Sequence, residues 1–216
     1  MKRILSLASA LALATPASAQ VFWQSPNFTG APIVPGEAGI GVALPGATPE
    51  EYNANVAWQM RAALNVAALQ CNWDQTLLSR DIYNGVLVNH REELARVYAT
   101  LGNYFRRTSP TARAGQDALD RFGTRTYASV SAVQGISTFC ETASRVGKSV
   151  LIAPRGSFTA VAIERLREVR NAIAGGREQQ FTRPFVQARA PLPDLSDRCW
   201  NRRNQYNFKR CGAYTL

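Results

Sequence analysis

The sequence predicts an all-α fold: an antiparallel four-helix bundle with an irregular N-terminal arm and a C-terminal tail closed by a disulfide. Three observations carry this prediction. Four blocks repeat apolar residues at three- and four-residue steps, the period of a helix face. Two of the blocks open on recognisable start signals, Thr48-Pro49-Glu50-Glu51 and Ser109-Pro110. No internal repeat and no hairpin turn signal competes with the helical pattern. The short connections between blocks favour antiparallel neighbours.

Residues 1–19 read as an export signal. Met1-Lys2-Arg3 is a positive n-region, Ile4 to Ala14 is apolar, and Ala17-Ser18-Ala19 is a small-x-small cleavage pattern. The apolar run is too short to cross a hydrocarbon core of about 30 Å, so a cleaved secretory signal is expected. No later stretch is long and apolar enough for a transmembrane helix. Residues 20–47 hold four prolines and five glycines, a composition that sustains neither helix nor strand. They form the expected arm, with Val21, Phe22, Trp23, Ile33 and Val34 available to lie across the body.

Residues 48–175 are the expected helical body. In the first block, Thr48 is the N-cap, Pro49 sits at N1 and Glu51 at N3, a capping box. Tyr52, Val56, Met60, Ala63, Leu64 and Ala67 form one stripe leading to Cys71, and Asn72-Trp73-Asp74 marks the break. The second block runs from about Ser79 to Arg106, with Ile82, Val86, Leu94, Val97, Leu101, Tyr104 and Phe105 on its buried face and His90 among them. The third starts at Ser109-Pro110 and reaches about Gly147, with Gly123 the expected place for a bend. Leu119, Phe122, Tyr127, Val130, Val133, Ile136, Phe139 and Cys140 line it. The fourth starts near Ser157, buries Phe158, Val161, Ala162, Leu166, Val169 and Ile173, and stops at Gly175-Gly176.

The chain has 216 residues, 46% of them hydrophobic, with a formal net charge of +10. Those figures exclude a disordered chain, a collagen-like repeat and a polytopic membrane protein. The single histidine excludes any site built from two or more of them. The sequence contains no GxSxG, no Walker loop and no GxGxxG. His90 with Glu92 and Glu93 does not make a metal set, and no cofactor is expected. Asp74, Asp81, Glu92 and Glu141 are the carboxylates a glycoside-cleaving pair would draw on, and such a pair needs a cleft.

Export also sets how Cys71, Cys140, Cys199 and Cys211 are read, because cysteines in exported proteins usually pair. Four cysteines allow three pairings. Cys71–Cys140 with Cys199–Cys211 is favoured, since it ties one helix end to the middle of another and closes a short tail loop.

The tail, 176–216, carries eight basic residues against three acidic ones. Between Cys199 and Cys211 all charges are positive, and Trp200, Tyr206 and Phe208 are interleaved with them. Arginine stacks on aromatic faces and forks onto phosphate or carboxylate. The candidate binding set is therefore Arg198, Trp200, Arg202, Arg203, Tyr206, Phe208, Lys209 and Arg210. The competing reading is that the aromatics pack on the body and the arginines form a solvated face. Basic charge with aromatics is also a nucleic-acid footprint, but the export signal argues against that partner.

The stretch Ala62 to Cys71, with Tyr83-Asn84, Glu93-Leu94, Gly123 to Tyr127 and Ala153 to Ser157, resembles a group of uncharacterised exported bacterial proteins. The resemblance spans the helical body and implies a secreted all-helical fold. It carries no assigned activity, so it transfers no functional residue. The expectation is an exported, periplasmic or envelope-associated, non-enzymatic protein that binds an anionic envelope component or an acidic protein partner. The alternatives are a small envelope hydrolase using carboxylates in a bundle groove, and a purely structural subunit.

Overall fold

Thr48 starts the first helix as its sequence dictates. Its hydroxyl accepts from Glu51 N–H at 3.3 Å, while the Glu51 carboxylate accepts from Thr48 N–H at 2.8 Å. In this computed structural model, residues 26–131, 133, 135–174 and 193–212 are described. The helices are α1 (Pro49–Gln70), α2 (Ser79–Asn89), α3 (Arg91–Arg107), α4 (Ala112–Ser131), α5 (Ile136–Ile152), α6 (Phe158–Ala174) and the single turn α7 (Phe208–Cys211). No strand occurs among the described residues, so the fold is all-helical. The signal peptide expected at 1–19, the stop at Gly175-Gly176 and tail residues 177–192 lie outside them.

Two of the four expected blocks are divided. The second breaks at His90, where ψ is 18°. His90 is almost fully buried there, and its Nε2–H donates to Val150 O at 2.8 Å. The third block passes straight through Gly123 and breaks instead between α4 and α5. Its start also shifts. The expected cap at Ser109-Pro110 gives way to Thr111, whose hydroxyl accepts from Ala114 N–H at 3.1 Å, and α4 begins at Ala112.

α1 is the centre of the molecule, packed against α2, α3, α4, α5 and α6. The stripe expected on it is only part of its buried surface. Ala54, Ala57, Ala62, Ala67 and Ala68 are buried together with Val56, Met60, Leu64 and Val66. A helix covered on nearly every side needs no polar face, and its alanines let five neighbours approach. Around it, Phe122, Phe139, Phe158, Leu101 and Leu166 are fully buried.

Cys71 and Cys140 form a disulfide with Cα atoms 5.5 Å apart, tying the end of α1 to α5. Cys199 and Cys211 form the second, at 5.7 Å. Both pairings are the favoured ones. Each stabilises by about 2–4 kcal/mol, chiefly by restricting the unfolded chain.

The described part of the arm is bound across α1 and α6. Ile33 N–H donates to Ile163 O at 2.9 Å. Arg167 donates to Ala31 O at 2.7 Å and forms a two-pronged pair with Glu37 at 2.7 Å. Leu44 and Ile33 join the core, whereas Val34, expected to do so, is exposed. Val21, Phe22 and Trp23 lie outside the described residues. No helix among the described residues is long and apolar enough to cross a membrane.

Candidate functional site

The tail segment between the second pair of cysteines folds into a small knob. Cys199 is fully buried beneath it. Trp200 and Tyr206 form a single antiparallel bridge, and Asn207 N–H donates to Cys199 O at 2.8 Å. The turn is built by asparagines. Asn201 Oδ1 accepts from Arg203 N–H at 2.8 Å and Gln205 N–H at 3.0 Å. Asn204 takes a φ of +57°, the left-handed region that asparagine tolerates best among side-chain-bearing residues. These two asparagines were the legible signal for the turn, and the charge and aromatic content of the segment masked it.

The knob has a packed side and an outer side. Trp200 meets Tyr206 edge-on, with centroids 5.8 Å apart, and Tyr206 meets Phe208 at 5.2 Å. Trp200 Nε1–H donates to Leu195 O at 3.2 Å. Tyr206 is buried and belongs to the knob's own packing rather than to its outer face, and Trp200 is half-buried. Phe208 is 51% exposed. Arg202, Arg203, Lys209 and Arg210 are all exposed, and no carboxylate among the described residues pairs with any of them. Arg198 differs from these four. It pairs with Asp194, at 3.0 Å through Nε. The Ser196 N–H and hydroxyl, helped by Arg198, hold the Asp194 carboxyl at about 2.

Arg155, in the α5–α6 connection, anchors the knob to the body. It was not among the residues singled out from the tail, because it lies 44 positions before Cys199 in the sequence. Its guanidinium sits 4.8 Å from the Trp200 ring centroid and pairs with Asp197 at 2.9 Å. Its backbone N–H donates to Asn204 O at 2.9 Å. Ring, charge and backbone together fix the knob's orientation on α5 and α6.

Asp194, Cys199 and Cys211 are the one grouping of metal-type ligand atoms among the described residues, within 4.8 Å of one another. The two sulfurs are bonded to each other, so neither offers a thiolate and the grouping is not a metal set.

The buried carboxylates are occupied elsewhere. Glu51 closes the α1 cap and pairs with Arg107 at 2.9 Å through Nε. The Arg107 guanidinium outweighs burial and lowers its carboxyl below the ordinary range. Asp74 accepts from Thr76 N–H at 2.9 Å and caps a short helical turn. Glu168 is held between Arg145, at 3.1 Å, and Arg165, at 2.8 Å. Glu93 accepts from the Phe158 and Thr159 N–H groups at the start of α6, both at 2.8 Å, with His90 Nδ1 at 3.8 Å. Burial alone would raise the Glu93 carboxyl. His90 and the α6 N–H groups overcome it and hold the group at about 2. Of the other carboxylates considered for cleavage, Asp81 and Glu92 are exposed and Glu141 is half-buried on α5.

No protein-family model, curated protein or solved structure matches this chain.

Proposed function

We infer that the protein is an exported, non-enzymatic helical protein that docks onto an anionic component of the cell envelope through the Cys199–Cys211 knob. In this reading an antiparallel helical bundle is the rigid mount for the knob. One observation carries the proposal. Arg202, Arg203, Lys209 and Arg210 are exposed, and no carboxylate among the described residues pairs with them, on a loop closed by a disulfide and pinned by Arg155. A surface ordered before binding loses less entropy on contact than a free tail does. Four exposed cations within one short loop raise the local concentration of anions and steer them in. The resemblance to exported bacterial proteins agrees with the compartment.

The carboxylates favour the hydrolase reading less. A general acid needs a carboxyl with a raised pKa. Two buried carboxylates line cavities: Glu93 is held at about 2 with both oxygens on backbone N–H groups, and Asp74 is engaged by the Thr76 N–H and hydroxyl as the cap of a helical turn.

The test is fractionation of the native host's envelope followed by a salt wash. The proposal expects the protein in the envelope fraction, released by salt, with Cys199 joined to Cys211 in a non-reducing peptide map. Free solubility at low salt would contradict it.

A further inference from the structure

The exposed cations of the knob continue onto the corner between α2 and α3. Asn204, in the turn of the knob, lines one cavity together with Val88, Arg91 and Arg96, so the knob and the corner share a surface. Arg91 and Arg96 are exposed there, and so are Arg202 and Arg203, which directly precede Asn204 in the chain.

Carboxylates do little to offset this charge. Asp197 is paired with Arg155 at 2.9 Å, and Asp194 is paired with Arg198. Glu93 is buried, with both oxygens on the α6 N–H groups. Glu92 is the remaining acidic group of the corner, and it is exposed. The exposed charge of this surface is therefore strongly positive.

Two large apolar side chains stand among the cations. Val88, in the last turn of α2, is 68% exposed. Phe208 is also exposed, and Tyr206 holds its ring edge-on at 5.2 Å. Single apolar residues scattered over a surface need no explanation. These two are each flanked by positive charge. Val88 shares the lining of the cavity with Arg91 and Arg96, and Phe208 is followed by Lys209 and Arg210. A ring already held by its neighbour gives up little freedom on contact.

An acidic polysaccharide and an anionic bilayer both attract the cations. The bilayer also carries a hydrocarbon layer directly beneath its charged groups, so an apolar side chain beside a cation gains there what it does not gain against a hydrated polymer. Stable attachment to a membrane surface takes two signals, apolar burial and basic charge, and both are present here. We propose that the anionic component is the phospholipid bilayer itself, with Arg91, Arg96, Arg202, Arg203, Lys209 and Arg210 on the headgroup phosphates and Phe208 and Val88 in the interfacial layer. This rests on the docking reading and narrows it to one surface.

The test is sedimentation of the protein, purified from its host, with three partners: mixed phosphatidylglycerol and phosphatidylcholine vesicles, phosphatidylcholine vesicles, and bead-bound polygalacturonate. The mixed vesicles should bind about tenfold or more tighter than phosphatidylcholine alone, since each cation near an anionic surface contributes about fivefold. Arg91→Gln with Arg96→Gln alters exposed residues and should weaken vesicle binding about tenfold. Phe208→Ala and Val88→Ser should each weaken it about threefold or more, with polygalacturonate binding unchanged. That loss should persist as salt rises, because salt screens charge and not apolar burial. Phe208→Trp keeps a ring in the knob, and its added fluorescence should be quenched by lipids brominated on their acyl chains. Binding to polygalacturonate with none to the mixed vesicles would leave the docking reading standing and overturn the bilayer as its partner. Vesicle binding that neither apolar substitution weakens, or a quench no greater than that of the parent, would overturn the insertion. Vesicle binding unaffected by the Arg91 and Arg96 changes would overturn the part assigned to the corner. Binding to none of the three would overturn the docking reading and this proposal together.

Discussion

Glu93 shows how much one residue does in this fold. It is a buried carboxylate on α3, three residues after the only histidine, and it caps the start of α6 from a different helix. Its carboxyl sits at about 2 when folded, against an ordinary 4.5. A lowered folded pKa means that the unfolded chain binds the proton more readily. The stability Glu93 contributes is therefore complete above about pH 4.5 and is lost as pH falls towards 2. Glu93→Gln should lower stability at neutral pH by about 2 kcal/mol and flatten the acid limb in that window. Denaturant titrations at a series of pH values measure both effects. An unchanged acid limb would show that Glu93 does not make these contacts. Gly41 is a second such position. Its φ is +128°, and a Cβ there would collide with the buried Gln59 side chain. Gly41→Ala should loosen the arm, seen as faster proteolytic cleavage within residues 26–47 while the helical content is retained.

The two disulfides do different work at the scale of elements. Cys71–Cys140 joins α1 to α5 across 69 residues of chain, whereas Cys199–Cys211 closes a loop of 12. Replacing Cys71 and Cys140 by Ser should cost about 2–4 kcal/mol of global stability. The same change at Cys199 and Cys211 should leave the thermal transition of the body nearly unmoved and abolish the order of the knob. Equal loss from both variants would mean that the knob is part of the cooperative core. The helices themselves were legible wherever the sequence carried local signals. The Thr48 box, the Phe158–Ile173 stripe and both cysteine pairings are as the sequence implies. The break after α1 was legible at Asn72-Trp73-Asp74, but the breaks inside the second and third blocks were not. His90 interrupts the second block because its ring reaches Val150 on α5, a tertiary bond with no local marker. α1 was under-read for a related reason. A helix with five neighbours buries alanines that a one-face pattern treats as filler.

Across the whole molecule, the knob, the α5–α6 connection and the α2–α3 corner meet at one end. The sequence marked the knob by charge and aromatics, without showing which of those residues are buried. Tyr206 serves the packing, and only the cations with Phe208 face outward. Arg155 carried no signal, because its role arises only when it meets the knob from 44 positions before Cys199. The core that supports this end is continuous. Leu166→Ala, at a fully buried position on α6, should cost about 2–5 kcal/mol, read as a lower denaturation midpoint.

The docking claim is tested most directly by the salt dependence of binding to anionic lipid vesicles and to an acidic polysaccharide. The full chain should be compared with the R202S/R203S/K209S/R210S variant. The account predicts that the parent binds at least one of the two surfaces at low salt and releases as salt rises, since exposed charges are screened. The variant should bind more weakly and with a shallower salt dependence. Parent and variant binding alike at every salt concentration, or no binding of the parent to either surface, would contradict it.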